Sequence, residues 1–166
     1  MHYSGRVLLK GSCHCRAVRF SVRSETPFPY LWCYCSICRK TGGGGGYVIN
    51  LMGLADTLKV EGRRHLSVYR AKLAPRAKTR SSGRRYFCKR CASALWVWDP
   101  RWKEWIYPFA SAIDTRLPKP TDEVEIMLDY AAPWAEIPSG SGHAHFAEYP
   151  QEGIADWHRK RLLEVP

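Results

Sequence analysis

The sequence predicts a mainly β protein held together by metal. Three observations predict it: short apolar runs with strand periodicity between turn residues, seven cysteines in three close groups, and a helical pattern confined to the C-terminal end. With 166 residues the chain is long enough to bury a core without disulfides. A composition of 45% hydrophobic and 25% charged residues excludes the disordered and fibrous classes.

The strand runs, in order, are "AVRFSV" from Ala17, "YVINLM" from Tyr47, "TLKV" from Thr57, "SVYRAK" from Ser67, "ALWVW" from Ala94, "WIYPFASAI" from Trp105 and "EVEIMLDY" from Glu123. Each is short, rich in β-branched or aromatic residues and bounded by Gly, Pro or Asp, so the body reads as mostly antiparallel β. "WDPRWKEW" from Trp98 reads as a hairpin connection, with Asp99 and Pro100 supplying the turn. "PSGSGHAH" reads as a flexible connection. "PQEGIADWHRKRLLEV" from Pro150 then places Ile154, Trp157 and Leu162 on one face of a helix. The expected organisation is a domain over residues 1–138 followed by a connection and helical tail over 139–166.

No apolar run approaches the roughly 18 residues of a membrane span, and "MHYSGRVLLKGSCHC" lacks a signal peptide's apolar stretch. The expected compartment is therefore the reducing cytoplasm, with no membrane partner. There, closely spaced cysteines mean metal or catalysis more often than disulfides.

The formal net charge of +11 is confined to one segment. Residues 59–90 carry 12 of the 26 lysines and arginines and one acid, Glu61, whereas the rest of the chain has 14 bases against 14 acids. Such a run is either a solvated face or an anion-attracting one. Only Tyr69, Tyr86 and Phe87 interleave it with aromatics, which argues against a nucleic-acid partner.

The cysteines are Cys13 and Cys15, then Cys33, Cys35 and Cys38, then Cys88 and Cys91. Gaps of one or two residues let a turn aim both sulfurs at one ion while backbone amides hydrogen-bond them, which suits tetrahedral zinc. Seven cysteines divide into a closed site of four and an open site of three, and three protein ligands with a free fourth position is a catalytic arrangement. Spacing alone leaves the pairing of groups open. A thiol-exchange role for Cys35 and Cys38 would need a βαβ context that the strand pattern does not offer. His14, His143 and His145 are weaker ligand candidates than the cysteines, and the seven tryptophans read as packing residues.

"GSCHCRAVRFSV", "CYCSICRKTGG", "RRYFCKRCAS" and "APWAEI", in that order from Gly11 to Ile137, resemble the family of glutathione-dependent formaldehyde-activating enzymes and centromere protein V. The resemblance implies a β-tent of antiparallel sheets. It assigns Cys13, Cys15, Cys88 and Cys91 to a structural zinc, and Cys33, Cys35 and Cys38 to a catalytic zinc, the latter open to displacement by thiols. The implied reaction is that of S-(hydroxymethyl)glutathione synthase, a carbon–sulfur lyase that adds glutathione or a similar thiol to formaldehyde or another small aldehyde. Because glutathione is anionic, Arg39, Lys40, Arg84 and Arg85 are the candidate contacts for its carboxylates. The alternative is a non-catalytic, zinc-stapled module whose basic segment meets an acidic protein or nucleic acid. An open three-cysteine group favours the enzyme, since a module needs only the four-cysteine site. Ala92 stands where the family usually has glycine, and the five-glycine run from Gly42 to Gly46 and the basic stretch after Tyr69 are also unusual for it.

Overall fold

The computed structural model describes residues 6–25, 27–42, 44–74 and 78–161. Gly43 of the glycine run, residues 75–77 of the basic segment and Leu162 of the C-terminal stretch lie outside the described residues. The strands are β1 (Val7–Ser12), β2 (Arg19–Ser24), β3 (Tyr30–Cys33), β4 (Val48–Asn50), β5 (Gly53–Leu54), β6 (Lys59–Glu61), β7 (Leu66–Tyr69), β8 (Arg84–Cys88), β9 (Ala94–Trp98), β10 (Trp105–Pro108), β11 (Glu123–Ile126) and β12 (His143–His145). Two helices, α1 (Ser36–Gly42) and α2 (Ile154–Lys160), complete the elements apart from short 3-10 turns. The mainly β class follows directly from this order. The chain divides into two compact units, one of Leu8–Arg23 and Gly53–Arg116, the other of Met1–Val7, Ser24–Met52 and Leu117–Pro166.

The first unit has two sheets, ordered β1-β2-β6 and β5-β10-β9-β8-β7. In β1 and β2 the period-two pattern sends Leu9, Phe20 and Val22 inward and leaves Lys10, Arg19 and Arg23 outside. Phe20 meets the edge of Trp96 with ring centroids 5.0 Å apart, and Trp96 stacks on Tyr86 at 5.1 Å. Burying a large side chain of this kind contributes roughly 1.5–3 kcal/mol. The β9–β10 hairpin pairs Trp98 with Ile106, and the buried Asp99 caps the 3-10 turn Pro100–Trp102 between them. Gly62 has φ +71°, and a Cβ there would stand 1.9 Å from the Ala17 carbonyl oxygen, so no other residue fits.

The second unit has one sheet, ordered β12-β11-β3-β4. β3 and β4 are antiparallel, but β11 runs parallel to both β3 and β12. An alternating pattern fixes which side chains share a face and carries no information on strand direction, so this departure from the antiparallel expectation is not visible in the runs themselves. His143–His145, read from sequence as part of a connection, form the edge strand β12. In α2, Ile154 and Trp157 are buried as the helical pattern requires, and Arg161 lies over the Trp157 ring at 4.0 Å. In the glycine run, Gly46 has φ +95° and room for no Cβ beside Ala135, whereas a Cβ at Gly44 would meet nothing within 4 Å. No helix of the described residues is long and apolar enough to cross a membrane.

Candidate metal centres

Cys13 and Cys15 lie in the turn that follows β1, Cys88 ends β8 and Cys91 lies in the β8–β9 connection. Each turn is closed by a backbone hydrogen bond: the Arg16 amide donates to the Cys13 carbonyl three residues back and the Ala92 amide to the Cys88 carbonyl four residues back, each at 2.8 Å. Each closure needs a residue in the left-handed region, supplied by Arg16 at φ 58° and Ala92 at φ 61°. The four Sγ atoms lie within 4.8 Å of one another. Cys13 and Cys15 sulfurs are 3.6 Å apart, and those of Cys15 and Cys88 are 3.8 Å apart. Sulfurs about 2.3 Å from one tetrahedral ion stand about 3.8 Å apart. The spacing therefore fits zinc and is far too long for a disulfide.

Backbone amides already face these sulfurs, Val18 N–H donating to Cys13 Sγ at 3.3 Å and Arg90 N–H to Cys88 Sγ at 3.4 Å. The Ser93 hydroxyl lies 3.2 Å from Cys91 Sγ, and Ser93 is held in turn by the His14 amide at 3.1 Å. Burial pushes the Cys13 thiol up to about 11, while the Ser93 contact brings Cys91 down to about 5. Sulfurs this close cannot share a negative state without a cation among them. The His14 ring takes no part in the group.

Cys33 ends β3, Cys35 lies between β3 and α1, and Cys38 is in the first turn of α1. Their three Sγ atoms also fall within 4.8 Å of one another. Cys33 and Cys38 are buried and Cys35 is half-buried, so the group opens on the Cys35 side. The Cys38 amide donates to Cys35 Sγ at 3.3 Å. Hydrogen bonds from Cys33 and Cys38 pull the Cys35 thiol down, and the same contacts push Cys33 up. The donor set is all thiol and crowded, as a zinc ligand set is.

The four basic candidates separate by unit. Arg39 and Lys40 lie in the last turn of α1, next to the trio, and Arg39 Nε is buried without a hydrogen-bond partner. Arg84 and Arg85 lie on β8 in the other unit, where Arg84 stacks over Trp98 at 5.1 Å. Reasoning from sequence passed over a third group: Glu123, Glu125 and His143, whose ligand atoms also lie within 4.8 Å of one another. The signal was available in "EVE" and "HAH", each of which puts two ligand-type residues on one face of a strand.

Comparison with known proteins places these groups in context. The family described as glutathione-dependent formaldehyde-activating enzyme matches residues 8–127. A protein of Halomonas elongata that carries that same description as a provisional name is 56% identical over 158 residues, which is 95% of this chain and 99% of that protein. The crystal structure of a Rhodobacter sphaeroides protein superposes with a TM-score of 0.52 at 23% identity, covering 66% of this chain and 91% of that one. That likeness extends to the fold.

Proposed function

The chain belongs to the glutathione-dependent formaldehyde-activating enzyme family, and on that premise we propose that it is a carbon–sulfur lyase joining the thiol of glutathione, or a close analogue, to formaldehyde. In the addition a sulfur–carbon bond forms, the carbonyl π bond opens, and the thiol proton ends on the former carbonyl oxygen. The product is S-(hydroxymethyl)glutathione, and no oxidant or reductant is consumed. Cys13, Cys15, Cys88 and Cys91 would hold a structural zinc, and Cys33, Cys35 and Cys38 a second one. A zinc ion held there would supply the Lewis acidity that favours a substrate thiol as thiolate at neutral pH. Three thiolates leave the site a formal charge of −1, so the proposed role is delivery of the thiol rather than activation of the aldehyde.

The observation that carries this reading is the separation of the sulfurs into a closed group of four and an open group of three, the latter with half-buried Cys35 at its accessible side. Arg39, next in sequence to Cys38, supplies a positive group for a substrate carboxylate, and its buried Nε awaits an acceptor. The amide of Cys38 orients Cys35 Sγ. The test is the rate of glutathione–formaldehyde exchange by magnetisation-transfer NMR, with zinc-loaded protein and with Cys35→Ser. Acceleration over the uncatalysed rate that vanishes in the variant is the expected result. No acceleration by protein holding two zinc ions per chain would overturn the assignment of substrate.

A further inference from the structure

β11 and β12 pair in parallel with Glu123 opposite His143 and Glu125 opposite His145. The pleat therefore puts all four side chains on one face of the sheet. Glu125 is completely buried. Its Oε1 lies 2.7 Å from His143 Nδ1, and its Oε2 accepts no hydrogen bond. His145 Nε2 lies 3.7 Å from Oε2, but that nitrogen is engaged with the Pro138 carbonyl oxygen at 2.7 Å. Glu123 Oε2 completes the set at 3.8 Å from His143 Nδ1.

A hydrogen-bonded histidine–glutamate pair accounts for only part of this arrangement. Two carboxylates meet one available imidazole, and repulsion from Glu125 adds to burial in raising the Glu123 carboxyl. A buried carboxylate oxygen left without a donor keeps the desolvation cost of its charge uncompensated. A cation on this face would remove that cost. Oxygen and nitrogen ligands about 2.1 Å from a shared tetrahedral ion stand about 3.4 Å apart, and the 2.7 Å and 3.8 Å separations from His143 Nδ1 bracket that spacing. His143 lies beyond residues 8–127, the extent of the family match, so the group is not contained in the family's cysteine signature.

We propose that Glu123, Glu125 and His143 form a third metal site, taking a first-row divalent cation through two carboxylates and one imidazole. Mixed oxygen and nitrogen donors suit manganese and iron(II) as well as zinc, whereas the thiolate groups favour zinc. The ion replaces the proton between His143 and Glu125 and supplies Glu125 Oε2 with a partner. His145, tied to Pro138, stands outside the ligand set as a positioning group.

Full-length protein is loaded with zinc, dialysed and titrated with Mn²⁺. Bound zinc is measured by elemental analysis, and bound manganese by the loss of the free-ion EPR signal. The wild type should hold one divalent ion per chain more than Glu125→Gln or His143→Asn, with the ion bound on the order of tenfold or more weaker in either variant. Zinc released by a thiol-blocking mercurial counts the cysteine sites alone and should be the same in all three proteins. That equality shows that the variants remain folded and separates this outcome from any failure at the trio. Equal total metal in wild type and variants would overturn the site, whether the shared count is two or three.

Discussion

Ala92 tests the idea that the cysteine turns are held by backbone geometry. It is exposed and has φ 61°, so its methyl group contributes no packing and leaves only conformational strain. An L residue in the left-handed region costs roughly 1–2 kcal/mol, and glycine's greater freedom in the unfolded chain returns roughly 0.5–1 kcal/mol. Ala92→Gly should therefore stabilise the folded protein by about 0.5–1 kcal/mol. If the proposed structural zinc is held by turns in this closed form, the gain should also appear in zinc retention. About 0.7 kcal/mol is roughly threefold in an equilibrium constant. The assay is competition with a chromophoric chelator, run beside urea unfolding, for wild type, Ala92→Gly and Ala92→Val. The β-branched valine is worse than alanine in this conformation and should release zinc more readily. If glycine leaves zinc retention unchanged and valine matches alanine, the turn does not hold the left-handed geometry on which the argument depends.

Two further outcomes follow from single side chains. Arg39→Ala should raise the KM for glutathione about tenfold with kcat little changed, because it removes a charge-assisted contact made equally in ground and transition states; a thiol without carboxylates should be unaffected, and equal KM values for glutathione would clear Arg39 of the role. Asp99 is buried, which raises its carboxyl, yet donation from Arg101 and Ser82 more than offsets this and brings it from 3.8 down to about 2. A depressed carboxylate stabilises the fold above its unfolded value and loses that contribution as pH falls from about 4 to about 2, here about 2 kcal/mol. The difference in stability between wild type and Asp99→Asn should shrink across that window, with acid release of zinc common to both proteins; a difference independent of pH would remove the claim.

What could be read from the sequence was what depends on neighbours along the chain. Cys88, the last residue of β8, and Cys91 are brought together by a five-residue connection whose closing bond spans Cys88 to Ala92, so their spacing alone pointed to a shared metal-binding turn. The β9–β10 hairpin was legible for the same reason, since Asp99 acts on the amide of Arg101 two residues away. Strands β1, β3, β5, β8 and β12 are not among the runs read from the sequence, and they range from six residues in β1 to two in β5, so length alone does not separate the legible strands from the rest. The parallel pairing of β11 with β3 and β12 has no local cause, because Glu123 meets Tyr30 across more than ninety intervening positions. The consequence for function is specific. The close pairs within each cysteine group are encoded by spacing, whereas Glu123, Glu125 and His143 become a cluster only when β12 adds to β11 in this register. A shift of one residue in β12 would turn both histidines to the other face and abolish the group. Register, and with it the Thr121 carbonyl that leaves no room for a side chain at Gly142 just before β12, is thus a determinant of the third site in a way that it is not for the cysteines.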